Sequence, residues 1–571
     1  MNQSTLPTDI RDFHATVLSH AKTRPDAIAA VHGAREITYA RFAADIEKVS
    51  RVLNGYRLAQ GSRAMLFFAS PYLHWLCIIA LWRLGVVSVS VYDLARKDLF
   101  DLLRPNVLIT ERGNLKAEGG AMIALSEDML DGAVDDLPPL APRTVLPDQP
   151  TRILTSSGTT GLPKKILFTN ALILERIKRT IADYGIEAGH RFMSVVGTDT
   201  AGGFVYSVVT WAAGGAVAFY DGQKPLAAQV DLTRANLLFM SPVQASGLVE
   251  SLPADFVHPG ATLVVAGGRL PQVVAERAKA RLASAIWVVY GSTEAGTVTL
   301  TQEPDYANPD MVGPVVDTAE VRIVDEAGAP LPHGARGELC VRGVCCVTSY
   351  LEDPEATRAH FKDGWFYPGD LAVLSEAGVL SIVGRVSDIM NLGGVKIAPG
   401  TIEDALMGTP GVQDLAAFSV PDEKGTETLW VALRASSDYD EAELQRRYSE
   451  RFHGKQAPNV ALVEEIPRNA MTKVMRNALR ERVLQTLARR AATAAIPTIT
   501  FGKSQNKEIP MATVKINDKE YEFDTLPEEV KAQLATMQYI DAELHRLGMQ
   551  RAALQTARGA YAKAVGEALK Q

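Results

Sequence analysis

The chain has 571 residues, 47% apolar and 22% charged, with a formal net charge of -7. That length suggests roughly three or four domains around a large core, and the acidic balance argues against a nucleic-acid binder, whose surface must be basic. Four cysteines (Cys77, Cys340, Cys345, Cys346) are too few for a disulfide framework and lack metal-ligand spacing, so a reducing, cytoplasmic setting is expected.

The N-terminal stretch is polar, with no secretory apolar run. Residues 64–91 are strongly apolar, but Pro71, His74 and Arg83 interrupt them. They read as strand (64–68), helix (72–84) and strand (86–91) rather than a membrane span. Strands at 27–31 and 107–110 and a helix from Tyr39 continue the alternation. Pro138, Pro139, Pro142, Pro147 and Pro150 mark a loop before a hydroxyl-rich run at 154–165.

From 170 to 300 the spacing predicts helix 171–184, strand 192–196, helix 204–213, and strands 216–220 and 237–240. Helix 242–252, strand 262–266, helix 271–282 and strand 286–289 follow. These are βα units of a largely parallel, buried sheet. Short strands with Gly-containing turns over 310–385 read as a twisted β subdomain. The fold class is therefore α/β. A large N-terminal domain of βα-layered sheets plus the twisted β subdomain covers 1–384, and a small mobile α/β C-terminal domain covers 385–487. A linker (488–511) and a short α+β tail (512–571) complete the chain. In the tail, 513–516 and 519–523 flank Asn517-Asp518, a hairpin signal, and helical patterns run 530–547 and 554–569. The tail has no serine to carry a phosphopantetheine, so it is not a fused carrier domain; it reads as a dimerising or docking module.

Six stretches carry chemistry. In 154–165, L-T-S-S-G-T-T-G-L-P-K-K, the hydroxyls of Thr155, Ser156, Ser157, Thr159 and Thr160, the glycines Gly158 and Gly161, and Lys164 lie between two apolar runs. Hydroxyl and backbone N–H donors with one positive charge suit a polyphosphate. The Walker A spacing is absent, and a solvated hairpin turn is the plain alternative. Tyr290-Gly291-Ser292-Thr293-Glu294 follows a buried strand, and the carboxyl end of such a strand is where α/β sheets bind ligands. Glu294 offers a hard oxygen for Mg²⁺ and Tyr290 a flat face. Ala266-Gly267-Gly268-Arg269 ends another strand. Residues 363–370 end in Gly369-Asp370, and 384–399 hold Arg385 and Gly393-Gly394. Residues 467–476 hold Lys473. Taken singly, each of these also reads as a turn or a solvated lysine.

In this order and at these distances the motifs resemble the adenylate-forming superfamily: acyl-CoA synthetases, aryl-CoA ligases, luciferases and peptide-synthetase adenylation domains. The resemblance covers about residues 10–487. It implies attack of a carboxylate on the α-phosphate of ATP, release of pyrophosphate, and transfer of the acyl group to a thiol, of CoA or of a carrier protein's phosphopantetheine. It assigns the 155–164 loop to the β- and γ-phosphates, Thr293 to the α-phosphate, Glu294 to Mg²⁺, and Tyr290, with Gly291 and Ser292 beside it, to adenine. Asp370 is assigned to the ribose hydroxyls, Arg385 to ribose or phosphate, and Lys473 to catalysis. Gly267 and Gly268 would wall the adenine and acyl pocket. Thr200, Gly202, Gly203, Arg269, Ala295 and Gly296 would line the acid's pocket, whose small residues leave room for a ring or a medium chain. Arg269 is read as facing solvent, with a second substrate carboxylate as the alternative, and Asp199 as a partner for an amino group. Gly393 and Gly394 would line the pantetheine tunnel after rotation of the small domain about 385–388. Four residues depart from the pattern: Pro368 for Thr, Ser387 for Asp or Lys, Thr472 for Gly, and Lys165 for Gly. The first three keep open a non-catalytic protein on a degenerate ligase fold.

Overall fold

The apolar stretch at 64–91 folds as strand Arg63–Phe67, helix Pro71–Leu84 and strand Val87–Ser90. Ser70 starts the helix by accepting the Leu73 N–H, Pro71 occupies its first turn, and Gly85, in the left-handed region, ends it. Nearly every side chain of this helix is buried, as an all-round apolar helix requires. Among the described residues no helix is long and apolar enough to cross a membrane.

The computed structural model describes residues 10–94, 96–113, 121–131, 137–140, 145–156, 163–222, 224–254, 256, 258, 260–302, 304–306, 308, 310–392, 395–421, 427–452, 457–468, 474–494, 499–501, 513–516, 519–534 and 536. The chain divides into two compact units, Met1–Arg480 and Glu481–Gln571.

The first unit is layered α/β. A six-stranded sheet is parallel from Ala121–Ala124 through Val107–Thr110, Arg63–Phe67 and Val87–Ser90 to Pro150–Ser156. Lys164–Thr169 closes its edge antiparallel, with Ser156 opposite Lys164. An eight-stranded sheet runs parallel through Ala283–Ser292, Ala261–Ala266, Leu237–Met240, Arg191–Ser194, Ala216–Phe219 and Ile28–His32. An antiparallel strand closes each of its edges. A third, antiparallel sheet covers 311–385. Beyond it a smaller layer packs helices Pro399–Leu406 and Glu441–Arg451 on a three-stranded sheet.

Two elements differ from expectation in ways that shape the site. The helix expected at 204–213 runs Ala201–Ala212, because Thr200 accepts the Gly203 N–H and caps it three residues earlier. The strand expected at 286–289 extends over Ala283–Ser292 and turns into an antiparallel partner, Gly296–Thr301. The turn is tight: a Cβ on Gly291 would stand 2.2 Å from the Gly296 carbonyl oxygen, and Gly296 has φ +74°.

In the second unit, Thr513–Ile516 and Lys519–Glu522 pair antiparallel with Ile516 opposite Lys519, as the hairpin signal predicts, and Ile499–Phe501 adds a third strand. The backbone is helical at 528–534. The rest of the expected tail helices lies outside the described residues.

Candidate functional site

A cavity of about 2190 Å³ opens at the carboxyl ends of the eight-stranded sheet. Its walls include Thr155, Lys164, Thr200, Gly202, Gly267, Gly268, Arg269, Tyr290, Gly291, Ser292, Thr293, Glu294, Gly296, Asp370 and Arg385, residues from every motif upstream of residue 386. Two candidates pack away from it. Gly203 faces the backbone of 196–197, where a Cβ would meet the Gly197 carbonyl oxygen at 2.2 Å. Ala295 is buried in the apolar core of the β subdomain. Ser156 continues the strand before the loop. Ser157, Gly158, Thr159, Thr160, Gly393, Gly394, Thr472 and Lys473 lie outside the described residues. The residues that bracket Lys473, Arg468 and Val474, bridge each other antiparallel, and both line the cavity.

One corner is organised around Asp370, which is 5% exposed. The Tyr290 hydroxyl donates to its Oδ2 at 2.6 Å, and Arg385 Nε lies 2.8 Å from its Oδ1. Strand register delivers the pair, since Asp370 and Arg385 stand opposite each other on adjacent strands. Burial, then the Asp370 charge, pushes the Tyr290 phenol well above its ordinary value, so it stays a donor. Pro368, in place of the family's Thr, presents only its carbonyl here, toward Arg385 at 3.5 Å.

A second corner holds Glu294, 7% exposed. Tyr350 donates to its Oε1 at 2.8 Å, and Arg176 donates to the carbonyls of Thr293 and Glu294 at 2.9 and 3.2 Å. Lys164 lies over the Tyr350 ring at 4.8 Å, with its Nζ 2.7 Å from His360 Nε2, and burial lowers its pKa. Among the described residues no cluster of three or more His, Cys, Asp or Glu could hold a metal by itself. A single aimed carboxylate fits Mg²⁺, which keeps water and phosphate oxygens as its other ligands.

The acid's end differs from expectation. The glycine run leaves less room than its small residues suggest, because Phe239 fills it from the neighbouring strand. A Cβ on Gly202 would stand 2.3 Å from the Phe239 ring. Tyr206 packs on Phe239 with ring centroids 4.8 Å apart, and both line the cavity. Asp199 also lines it, its pKa raised chiefly by burial. Arg269 is exposed, as expected, and at that surface it pairs with the protein's own Asp310 and Asp404 rather than standing free for a second substrate carboxylate. Lys165 is 7% exposed and donates to the Leu102 carbonyl at 3.0 Å and to Glu352 at 2.6 Å, a structural role that explains a lysine there. Asp388, beside Ser387, pairs with Arg476 at 3.2 Å, and Glu403 holds the other arm of that guanidinium.

Sequence reasoning missed Arg176, Tyr350, Tyr206 and Phe239. Arg176 had a signal: it falls among Ile173, Ile177 and Ile181 on the buried side of its helix, where a charge is out of place. Tyr350, Tyr206 and Phe239 act through contacts made only after folding.

Comparison with known proteins bears on the family and the fold. The pattern of the AMP-binding enzyme family matches residues 17–351. The chain is 24% identical over 472 residues to a 2-succinylbenzoate–CoA ligase of Bacillus licheniformis, covering 80% of this chain and 98% of that protein. It is 27% identical over 483 residues to a feruloyl-CoA synthase of an Amycolatopsis species, covering 81% and 97%. It superposes on ATP-bound MatB from Rhodopseudomonas palustris with a TM-score of 0.74 at 25% identity, over 82% of this chain and 98% of that one. The chain belongs to the AMP-binding enzyme family, as an AMP-forming acid–thiol ligase that activates a carboxylic acid with ATP.

Proposed function

We propose that this ligase adenylates an aromatic carboxylic acid and transfers the acyl group to CoA. The observation that carries the reading is the pair of held carboxylates on one cavity wall, Asp370 between Tyr290 and Arg385, and Glu294 under Tyr350. Asp370 accepts the ribose hydroxyls while the Tyr290 ring walls the adenine. The hydroxyl-rich loop and Lys164 neutralise the β- and γ-phosphates. Glu294 would hold the Mg²⁺ that accompanies ATP, which would supply charge neutralisation there. Lys473, carried between two cavity-lining residues, supports the α-phosphate as the carboxylate attacks and pyrophosphate leaves. Catalysis of this kind is mostly positioning and charge stabilisation. Rotation of the small domain about 385–388 then withdraws Lys473 and brings Gly393-Gly394 to the thiol's path.

An aromatic acid is supported by the Tyr206–Phe239 wall and by relatives named for 2-succinylbenzoate and ferulate. Four free cysteines suit a reducing cytoplasm. The tail from 512 is assigned to docking or dimerisation. Pyrophosphate release over a panel of aromatic and aliphatic acids, with and without CoA, tests the main reading. Aromatic acids should lead, and a CoA thioester should form. Transfer only to a carrier protein would overturn the acceptor, and silence with every acid would overturn the reading. Deleting 500–571 should turn a dimer into a monomer in solution if the tail dimerises the chain; an unchanged oligomeric state would end that assignment.

A further inference from the structure

Glu294 is held from its backbone as well as from its carboxylate. Arg176, 3% exposed, comes from the helix that directly follows the phosphate-loop hairpin. Besides the Thr293 and Glu294 carbonyls, its guanidinium donates to the Cys345 carbonyl, at 2.7 Å from Nη2 and 3.1 Å from Nε. All four bonds end on carbonyl oxygens, and the guanidinium lies over the Phe168 ring at 4.4 Å. A buried guanidinium without a carboxylate is costly, and burial brings its pKa down to about 10.

The three carbonyls belong to two segments that meet at Glu294. Thr293 and Glu294 form the turn between strands Ala283–Ser292 and Gly296–Thr301, and such a turn is free to pivot unless it is tied. Cys345 lies five positions before Tyr350, whose hydroxyl grips the Glu294 carboxylate. Phe168, beneath the guanidinium, belongs to the strand that begins at Lys164. One rigid planar fork thus ties the turn, the segment carrying Tyr350 and the phosphate hairpin together, which a lysine's point charge cannot do.

We propose that Arg176 is the positioning residue that aims Glu294 at the magnesium-bearing end of ATP and locks that aim to the phosphate hairpin. The proposal rests on the assignment of Glu294 made above. Pyrophosphate release is measured against free Mg²⁺ at saturating ATP and acid, with thermal melting of each variant. Glu294→Gln should raise the half-saturating Mg²⁺ concentration at least tenfold; if it does not, the Glu294 assignment fails first. Given that rise, Arg176→Lys should raise the midpoint about tenfold and Phe168→Leu about threefold, with the KM for the acid within twofold of the unaltered enzyme. Phe168→Leu keeps the apolar burial and removes the platform, so it reports even if Arg176→Lys does not fold. A folded Arg176→Lys or Phe168→Leu with an unmoved Mg²⁺ midpoint, or an acid KM that rises in step with it, overturns the role.

Discussion

The two ends of the cavity are built on different principles. At the proposed nucleotide end the charged groups are already tied within the protein: Asp370 to Tyr290 and Arg385, Glu294 to Tyr350. At the proposed acid end the surface is made by ring packing, Phe239 lying in the space Gly202 leaves and Tyr206 packing on Phe239. Behind that wall is a buried polar layer, in which Arg152 donates to Ser88, Ser90 and the Thr198 carbonyl while His74 bonds Ser90 at 2.7 Å. Pre-tied charges cost little reorganisation when phosphate charge develops. A packed wall discriminates by shape, and contributes less per group.

Substitutions can separate the two ends. The largest effect is expected at Lys473: Lys473→Ala should slow adenylate formation by about 10³-fold, about 4 kcal/mol, and leave thioester formation from supplied acyl-adenylate intact. Survival of both half-reactions would remove Lys473 from the nucleotide end. Asp370→Ala should raise the KM for ATP by about 10- to 100-fold, the loss of hydrogen bonds to a charged acceptor, while the acid's KM stays within twofold. Equal movement of both constants would mean that the ends are not independent. Phe239→Leu should do the reverse, shifting preference between acids by about tenfold, or about 1.4 kcal/mol, with the ATP constant unchanged. An unaltered preference across the acid panel would remove Phe239 from the acid's wall.

Two histidines predict a pH response, His74 in the buried layer and His14 on the helix Phe13–Thr23. Burial, above all, pulls His74 down to about 3 and His14 to about 4. As pH falls below 6.5 the unfolded chain binds protons that the folded chain refuses. Stability should therefore fall from about pH 6.5 toward 4, by up to about 1.4 kcal/mol per pH unit for each histidine. Chemical denaturation at several pH values should show a shallower slope in His74→Gln; the same slope would mean that His74 is already protonated in the fold. The smallest effect belongs to Glu352→Gln. Glu352 is held at about 2 by Arg63 and Lys165, but its side chain is 41% exposed, so solvent screening leaves under about 1 kcal/mol to lose. That small contribution should fade as pH drops below the ordinary carboxylate range, because a depressed carboxylate stabilises only while it is ionised. A larger loss in thermal melting would give the Lys165 anchor a weight comparable to the site itself.

The layered α/β class was legible in the sequence because strand and helix periodicities are local, and the helix Pro71–Leu84 and strand Val107–Thr110 appear where the spacing puts them. The motifs proposed for the nucleotide were legible as well, because phosphate and ribose recognition needs particular donors at short spacings, as at 154–165, 290–294 and 369–370. Tertiary structure alone decided the rest. The partners that hold Glu294 come from residues 176 and 350, Arg269 pairs with Asp310 and Asp404 at the surface, and Phe239 fills the space Gly202 leaves. None of these contacts is written in local spacing. Each depends on how strands far apart in the chain come to lie side by side, and the shape of the acid's wall follows from that packing.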